Sequence, residues 1–430
     1  MAASRESRLL DIDALRGFAL FGILAVNIWS FANAYYASGT TDPAFGSAVD
    51  DAVRFLVSLL FETKFYLLFS FLFGYSFTLQ MDSAERAGAA FRPRMLRRQH
   101  GLLAIGLAHG VLLYPGDILS TYAILGLVLL ALRGISPRSA VKTAIVLIAV
   151  SGTLMTLLGL ADIAYGAAPN IAGIRAQAAE TTAALTGSPA SVIREHARQF
   201  PLTVAFVLLV QGPSAIAMFL LGFAAGRRRL FADIDTLRPK LYTLLRVCLP
   251  IGLAGSITYA YLAAFHPGSG AETLGFGIDL LTAPALTAAY VAAALIALQT
   301  ARGRRVARVL APAGRTALSN YLLQSLVLGV IFTAFGFELI GKLAPIVVLA
   351  IVPVVFAAQL AVSAWWLRGH TYGPLEWLLR AITNASRPNW RRRHKPEAAP
   401  LPRNAGGEEE TSRTAARMPR RRRSDGDRRA

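Results

Sequence analysis

Residues 343–367 read LAPIVVLAIVPVVFAAQLAVSAWWL, an apolar run without a single Asp, Glu, Lys or Arg. A bilayer core about 30 Å thick is crossed by roughly 20 apolar residues as a helix, and lipid offers the backbone no other hydrogen-bond partner. A run of this length therefore predicts a transmembrane helix. Comparable stretches centre on 17–34, 64–81, 97–115, 117–133, 143–165, 203–226, 241–263, 277–299 and 316–337, which makes ten spans. The third and fourth are separated only by Tyr114-Pro115-Gly116-Asp117, and the sixth is interrupted by Gly212-Pro213, which removes a helical hydrogen bond and predicts a kink. Of the 430 residues 54% are hydrophobic and 16% charged, whereas soluble domains carry about a quarter charged. The fold class expected is all-α, a polytopic integral membrane helix bundle.

The net charge of +19 would suggest nucleic acid in a soluble domain. Its distribution argues otherwise. Residues 385–430 hold 14 basic and 6 acidic residues, and their Pro, Arg, Gly and Glu content predicts a disordered cytoplasmic tail suited to anionic lipid. The membrane body is read as 1–384. Within it, arginines and lysines cluster at 5–16, 86–98, 133–142, 227–240 and 302–315, while the outer segments between spans hold only Arg54, Lys64, Arg175, Arg194, Arg198 and Lys342. The positive-inside rule then places both termini in the cytoplasm. A signal peptide is a competing reading of the first span, but Arg16, Asn27 and Trp29 and the lack of a cleavage pattern argue against it. Residues 35–63 and 166–200 are long enough for helices on the outer surface, and Gly373 to Thr383 reads as an interfacial helix. The single cysteine, Cys248, excludes an intrachain disulfide and a cysteine metal site.

Ionisable and amide side chains inside a membrane are costly, so their positions carry the functional signal. Arg16 and Asn27 are eleven residues apart, close to three helical turns, and so share a face about 16 Å apart along the axis. Asp11 and Asp13 lie beside Arg16. The third span repeats the spacing with Arg98 and His109. His109 is read either as a neutral histidine bonded to a backbone carbonyl or as a general base facing a cavity, and Asp117 either as its orienting partner or as a solvated turn carboxylate. Arg315, Asn320 and Gln324 share a side of the ninth span and are read as cavity-facing or as helix-to-helix hydrogen bonding. Gly106 and Gly110 signal close helix packing. Lys64, Gln211 and Asp279 are lesser candidates. No histidine has a partner at metal-ligand spacing, and there is no phosphate-binding glycine loop, nucleophile elbow or ATPase signature, which argues against primary active transport by this chain.

Five ordered motifs carry a resemblance: Asp13 through Asn27, Lys64 through Gly74, His109 through Tyr122, Gly314 through Ser325, and Tyr372 through Arg380. Together, across 9–383, they resemble the YeiB-like family of bacterial inner-membrane proteins, known as domain of unknown function 418. The resemblance implies a multi-pass protein of the bacterial plasma membrane and no established activity. A more distant likeness is to membrane acyltransferases. The acyltransferase-three type carries Arg, ten residues, then His in its first span, and the heparan-glucosaminide N-acetyltransferases carry Arg, ten residues, then Asn, with a catalytic His beyond. Arg16 and Asn27 are similar to the second pattern. No His occurs between Asn27 and His100, so that catalytic base has no counterpart in the matching place, and His109 is the candidate substitute from another helix.

The leading expectation is a transmembrane acyltransferase with acyl-CoA as co-substrate and no tightly bound cofactor or metal. Arg16, Arg98 and Arg315 would bind the donor's phosphates, Asn27 would orient the thioester carbonyl, and His109 with Asp117 would act as base. The alternative is a secondary transporter or permease for a small solute, with the same residues lining its path. An accessory subunit without chemistry is a third. The expected partners are the bilayer and anionic lipid, not nucleic acid.

Overall fold

The computed structural model describes residues 2–36, 40–166 and 170–391, and the side chains from residue 10 onward. Among these residues the regular structure is helical: α1 (Ala2–Ala32), α2 (Ala48–Leu60), α3 (Lys64–Arg86), α4 (Phe91–Leu112), α5 (Leu119–Ala131), α6 (Pro137–Tyr165), α7 (Ile171–Gly187), α8 (Pro189–Phe206), α9 (Gly212–Arg227), α10 (Ile234–Phe265), α11 (Gly270–Leu298), α12 (Ala301–Arg315), α13 (Ala317–Phe332), α14 (Pro345–Gly369) and α15 (Pro374–Asn384). An all-α polytopic bundle is thus what the chain forms. A helix lies at each of the ten expected spans. Seven helical segments among the described residues are long and apolar enough to cross a membrane, with α5 and α13 as shorter apolar helices. Their outer faces stay apolar: α6 exposes Ile145, Val146, Val150, Leu154 and Leu157, the surface expected against hydrocarbon rather than water.

Local chemistry sets most boundaries. Ser47 and Ser188 form capping boxes at α2 and α8, while Ser136, Asp233, Ser269 and Thr300 cap α6, α10, α11 and α12 through their side chains, each satisfying one of the free N–H groups of a first turn. The expected break at Gly212-Pro213 takes the form of a π-helical turn, Val207–Gln211, joining α8 to α9. The segment 35–63 contributes α2, 166–200 contributes α7 and most of α8, and α15 falls on the expected interfacial helix.

Two differences have physical causes. Residues 301–315 are not an open basic loop. They form α12, whose small residues Ala307, Ala311, Ala313 and Gly314 are buried while arginines occupy its other faces. A Cβ on Gly314 would meet the Asp13 carbonyl oxygen at 1.8 Å, and one on Gly17 would meet that of Leu310 at 2.5 Å, so glycine lets the α1 and α12 backbones touch. The ninth span is also shorter than its apolar run, because α13 ends at Phe332 and residues 333–344 turn, with Gly341 at φ +70°. The tail anticipated from Ala385 is described only through Arg391. Residues 385–391 return towards α14 and α15, where Trp390 stacks edge-on against Trp366 and Trp377, and residues 392–430 lie outside the described residues.

Candidate functional site

The crossing of α1 and α12 sets Arg16 and Arg315 beside one another's helices, and α4 and α15 pack alongside. Between these helices, α3 and α13 lies a cavity of about 420 Å³, within the range of about 300–1,000 Å³ typical of small-molecule sites. Five arginines line it, Arg16, Arg94, Arg98, Arg315 and Arg380, against one carboxylate, Glu376. The rest of the wall is largely apolar, with Ile23, Phe69, Phe73, Ile118 and Leu119 among the lining residues. One end is therefore strongly cationic and the other greasy.

Three of these arginines are held by specific contacts. Arg16 donates to Asp13 at 2.8 Å and to the Ser76 hydroxyl at 2.5 Å. Arg94 donates to the Asn384 amide oxygen at 2.6 Å, and Arg380 lies over the Tyr372 ring at 4.4 Å. Arg98 keeps a buried Nε with no hydrogen-bond partner among the described residues. A buried guanidinium nitrogen left without an acceptor is costly. Glu376 is engaged elsewhere: its carboxylate accepts the Leu318 and Ser319 N–H groups at 2.6 and 3.1 Å and the Ser319 hydroxyl at 2.6 Å, capping α13. Burial pushes its carboxyl above the ordinary value.

The other candidates lie deeper. His109, 2% exposed, sits with Nδ1 2.8 Å from Asp117 Oδ1 and Nε2 2.9 Å from Ser325 Oγ. The second Asp117 oxygen accepts the Ser120 N–H at 2.7 Å, so the carboxylate that orients the imidazole also caps the start of α5. Asp117 is buried, and the solvated-turn reading of it does not hold. An Nδ1–H donated to Asp117 leaves Nε2 as the acceptor for the serine hydroxyl. The Tyr321 ring lies 5.0 Å from the His109 ring and also lines the cavity, so one aromatic side chain touches both.

Arg16, Arg98 and Arg315 are brought together on one cavity, and His109 and Asp117 are brought together behind it. Asn27 joins neither. It is half-buried, and the cavity reaches only Ile23 on α1, one turn short of it, so sharing a face with Arg16 does not give it the same surroundings. Asn320 and Gln324 serve as helix contacts: Asn320 donates to Ser363 at 2.9 Å and Gln324 to Gln359 at 2.9 Å, both on α14. Gly106 and Gly110 are close-packing positions, where a Cβ would meet the Ser120 nitrogen at 2.6 Å and the Phe200 ring at 2.1 Å. Residue-by-residue reading missed Arg94, Arg380, Tyr321 and Ser325. Tyr321, Ser325 and Arg380 do fall within motifs already distinguished by their family likeness, the signal that could have found them.

A polytopic all-α bundle with apolar outer faces and arginines gathered around an interior cavity defines an integral membrane protein. The comparisons with known proteins agree. Residues 225–386 match the family DUF418, described as a protein of unknown function. Over 403 residues the chain is 30% identical to the uncharacterised protein YxaH of Bacillus subtilis (strain 168), covering 89% of this chain and 95% of that one. It is 27% identical over 390 residues to the uncharacterised protein YeiB of Escherichia coli (strain K12), covering 87% and 96%. The chain belongs to the YeiB-like DUF418 family.

Proposed function

We propose that this protein is a membrane acyltransferase of the bacterial plasma membrane, taking an acyl group from cytoplasmic acyl-CoA and passing it to a lipid-linked or extracytoplasmic acceptor. The observation that carries the reading is the cavity with five arginines against one carboxylate at one end and an apolar remainder. Phosphates of the donor are held by Arg16, Arg98 and Arg315 through charge-assisted bonds, with Arg94 and Arg380 beside them. The acyl end points away from the charges, towards Tyr321 and the His109 imidazole behind it. His109 acts as base, with Asp117 holding its tautomer. In this reading the arginine end faces the cytoplasm, in keeping with the distribution of basic residues between segments. No metal or tightly bound cofactor takes part.

A cavity lined by five arginines and one carboxylate suits a donor with a multiply anionic head, which favours transfer over the transporter alternative. The test is binding of acetyl-CoA to the purified protein, followed by release of free CoA in the presence of membrane lipid extract. Binding that weakens about tenfold or more in Arg98→Gln, and CoA release that is lost in His109→Ala, are expected. Absence of binding at millimolar donor, or full activity of His109→Ala, overturns the reading. Passage of an unmodified anion across proteoliposomes establishes the transporter instead.

A further inference from the structure

The hydroxyl on His109 belongs to Ser325, a residue that the reading above leaves without a task. Ser325 is 2% exposed and lies on α13, His109 on α4, and Asp117 in the turn before α5. Three separate segments thus converge on a serine oxygen 2.9 Å from one imidazole nitrogen and a carboxylate oxygen 2.8 Å from the other. This is the arrangement in which a weak nucleophile is activated by a base that is itself oriented by a third group. Placing a histidine and a carboxylate in a membrane interior is costly, and an ordinary interhelical clip needs neither.

The cavity supplies the second, independent observation. Tyr321 lines it and precedes Ser325 by one helical turn on α13, a rise of about 6 Å, and Tyr321 packs on the imidazole ring. Tyr321 is thus in contact with both the chamber and the imidazole that holds the serine. The neighbouring wall, Ile23, Phe69, Ile118 and Leu119, suits a short aliphatic acyl chain.

We propose that Ser325 is the catalytic nucleophile of a two-step transfer, carrying the acyl group as an oxygen ester between a short-chain acyl thioester and the final hydroxyl or amine acceptor. The proposal rests on the acyltransferase reading. In the first step His109 Nε2 takes the Ser325 hydroxyl proton as the oxygen bonds to the thioester carbonyl carbon. The carbon–sulfur bond then breaks, and the proton passes from His109 to the departing thiolate, giving the acyl-serine and free thiol. In the second step His109 takes the acceptor's proton, the acceptor bonds to the acyl carbon, the bond to Ser325 breaks, and the proton returns to its oxygen.

The experiment is acyl trapping in the full chain, purified in detergent and given radiolabelled acetyl-CoA with no acceptor. The expected result is label on the peptide containing Ser325, release of free CoA in equal amount, and loss of both in Ser325→Ala and His109→Ala. Ser325→Ala should lower transfer by about a thousandfold or more. Because an inactive variant could also be misfolded, Ser325→Cys is the second arm. A nucleophile at this position gives a thioester adduct cleaved by neutral hydroxylamine, where the wild-type ester resists it, and a merely structural serine gives no adduct with either side chain. Wild-type transfer without an adduct, together with a Ser325→Ala variant that keeps its rate, overturns this proposal and leaves the acyltransferase reading intact. A wild-type protein that neither binds acetyl-CoA nor releases CoA from it overturns both.

Discussion

Lys64 Nζ lies 3.2 Å from Asp279 Oδ1, and neither side chain is reached by solvent. The pair joins the start of α3 to α11 and lies outside the lining residues of the arginine cavity. Its remaining bonding capacity is filled: Lys64 also donates to the Ser58 carbonyl at 2.9 Å, and Asp279 accepts from Thr63 and Ser256 hydroxyls at 2.5 and 2.7 Å. Thr63 holds φ +63° with ψ −43°, a positive-φ conformation unfavourable for a β-branched residue, and its bond to Asp279 helps to offset that strain.

A pair so enclosed is strongly asymmetric to mutation. Removing one partner strands a charge, so Lys64→Met is expected to cost about 3–5 kcal/mol. The double change Lys64→Met with Asp279→Leu should recover most of that loss. Thermal unfolding in detergent of the two single variants and the double variant measures the coupling, and additive losses would show that the ion pair contributes nothing.

Gly314→Ala tests the α1 and α12 crossing. Its new methyl would meet the Asp13 carbonyl oxygen at 1.8 Å, and relief requires the helices to part, at a cost of about 1–3 kcal/mol. Arg16 and Arg315 move apart with them, so acetyl-CoA affinity should fall along with stability. Gly134→Ala is the control, since nothing lies within 4 Å of its Cβ position, and its effect should stay within about 0.5 kcal/mol. Comparing melting temperature and binding in the two variants checks both statements.

Glu376 gives the protein a pH dependence of defined sign. Burial raises its carboxyl above the ordinary value in the folded chain, so the folded state holds this proton more tightly than the unfolded state. The resulting stabilisation is complete below the unfolded value of about 4.3 and is lost as pH rises through the folded one. Glu376→Gln removes that titration. The stability of the wild type relative to this variant should therefore decline from pH 4 upwards, as measured by unfolding in detergent across that range. A constant difference would show that the carboxyl is not perturbed.

Orientation is tested by reporter fusions. A periplasm-active reporter joined at Pro267, between α10 and α11, should be active, and one joined at Arg228, after α9, should be silent. The reverse pattern would place the arginine cavity at the outer face and remove cytoplasmic acyl-CoA as its donor.

The helices were legible because spanning is a local property: a run such as 343–367 sums its transfer free energy over consecutive residues, and no distant contact changes the sign. The Gly212-Pro213 break was local for the same reason. The basic stretch 301–315 was not, because its charge outweighed an alanine and glycine stripe that has meaning only against α1. The arginines were visible one at a time, and three of the five that line the cavity were picked out as substrate-handling candidates. Their convergence was expected only through the acyl-CoA reading; what produces it, the glycine contacts that bring α1 and α12 together, was not visible.

By itself, then, the sequence determined a membrane bundle, its helices, and a shortlist of ionisable residues that lipid would not tolerate without a reason. Tertiary structure alone decided which of them meet. Asn27 shares a helix face with Arg16 yet falls outside the cavity, whereas Ser325, 216 residues from His109, sits within hydrogen-bond distance of it. Helical periodicity relates only residues a few turns apart. The partner of a buried imidazole is fixed by how α4, α5 and α13 pack, and that information is spread over every residue at their contacts.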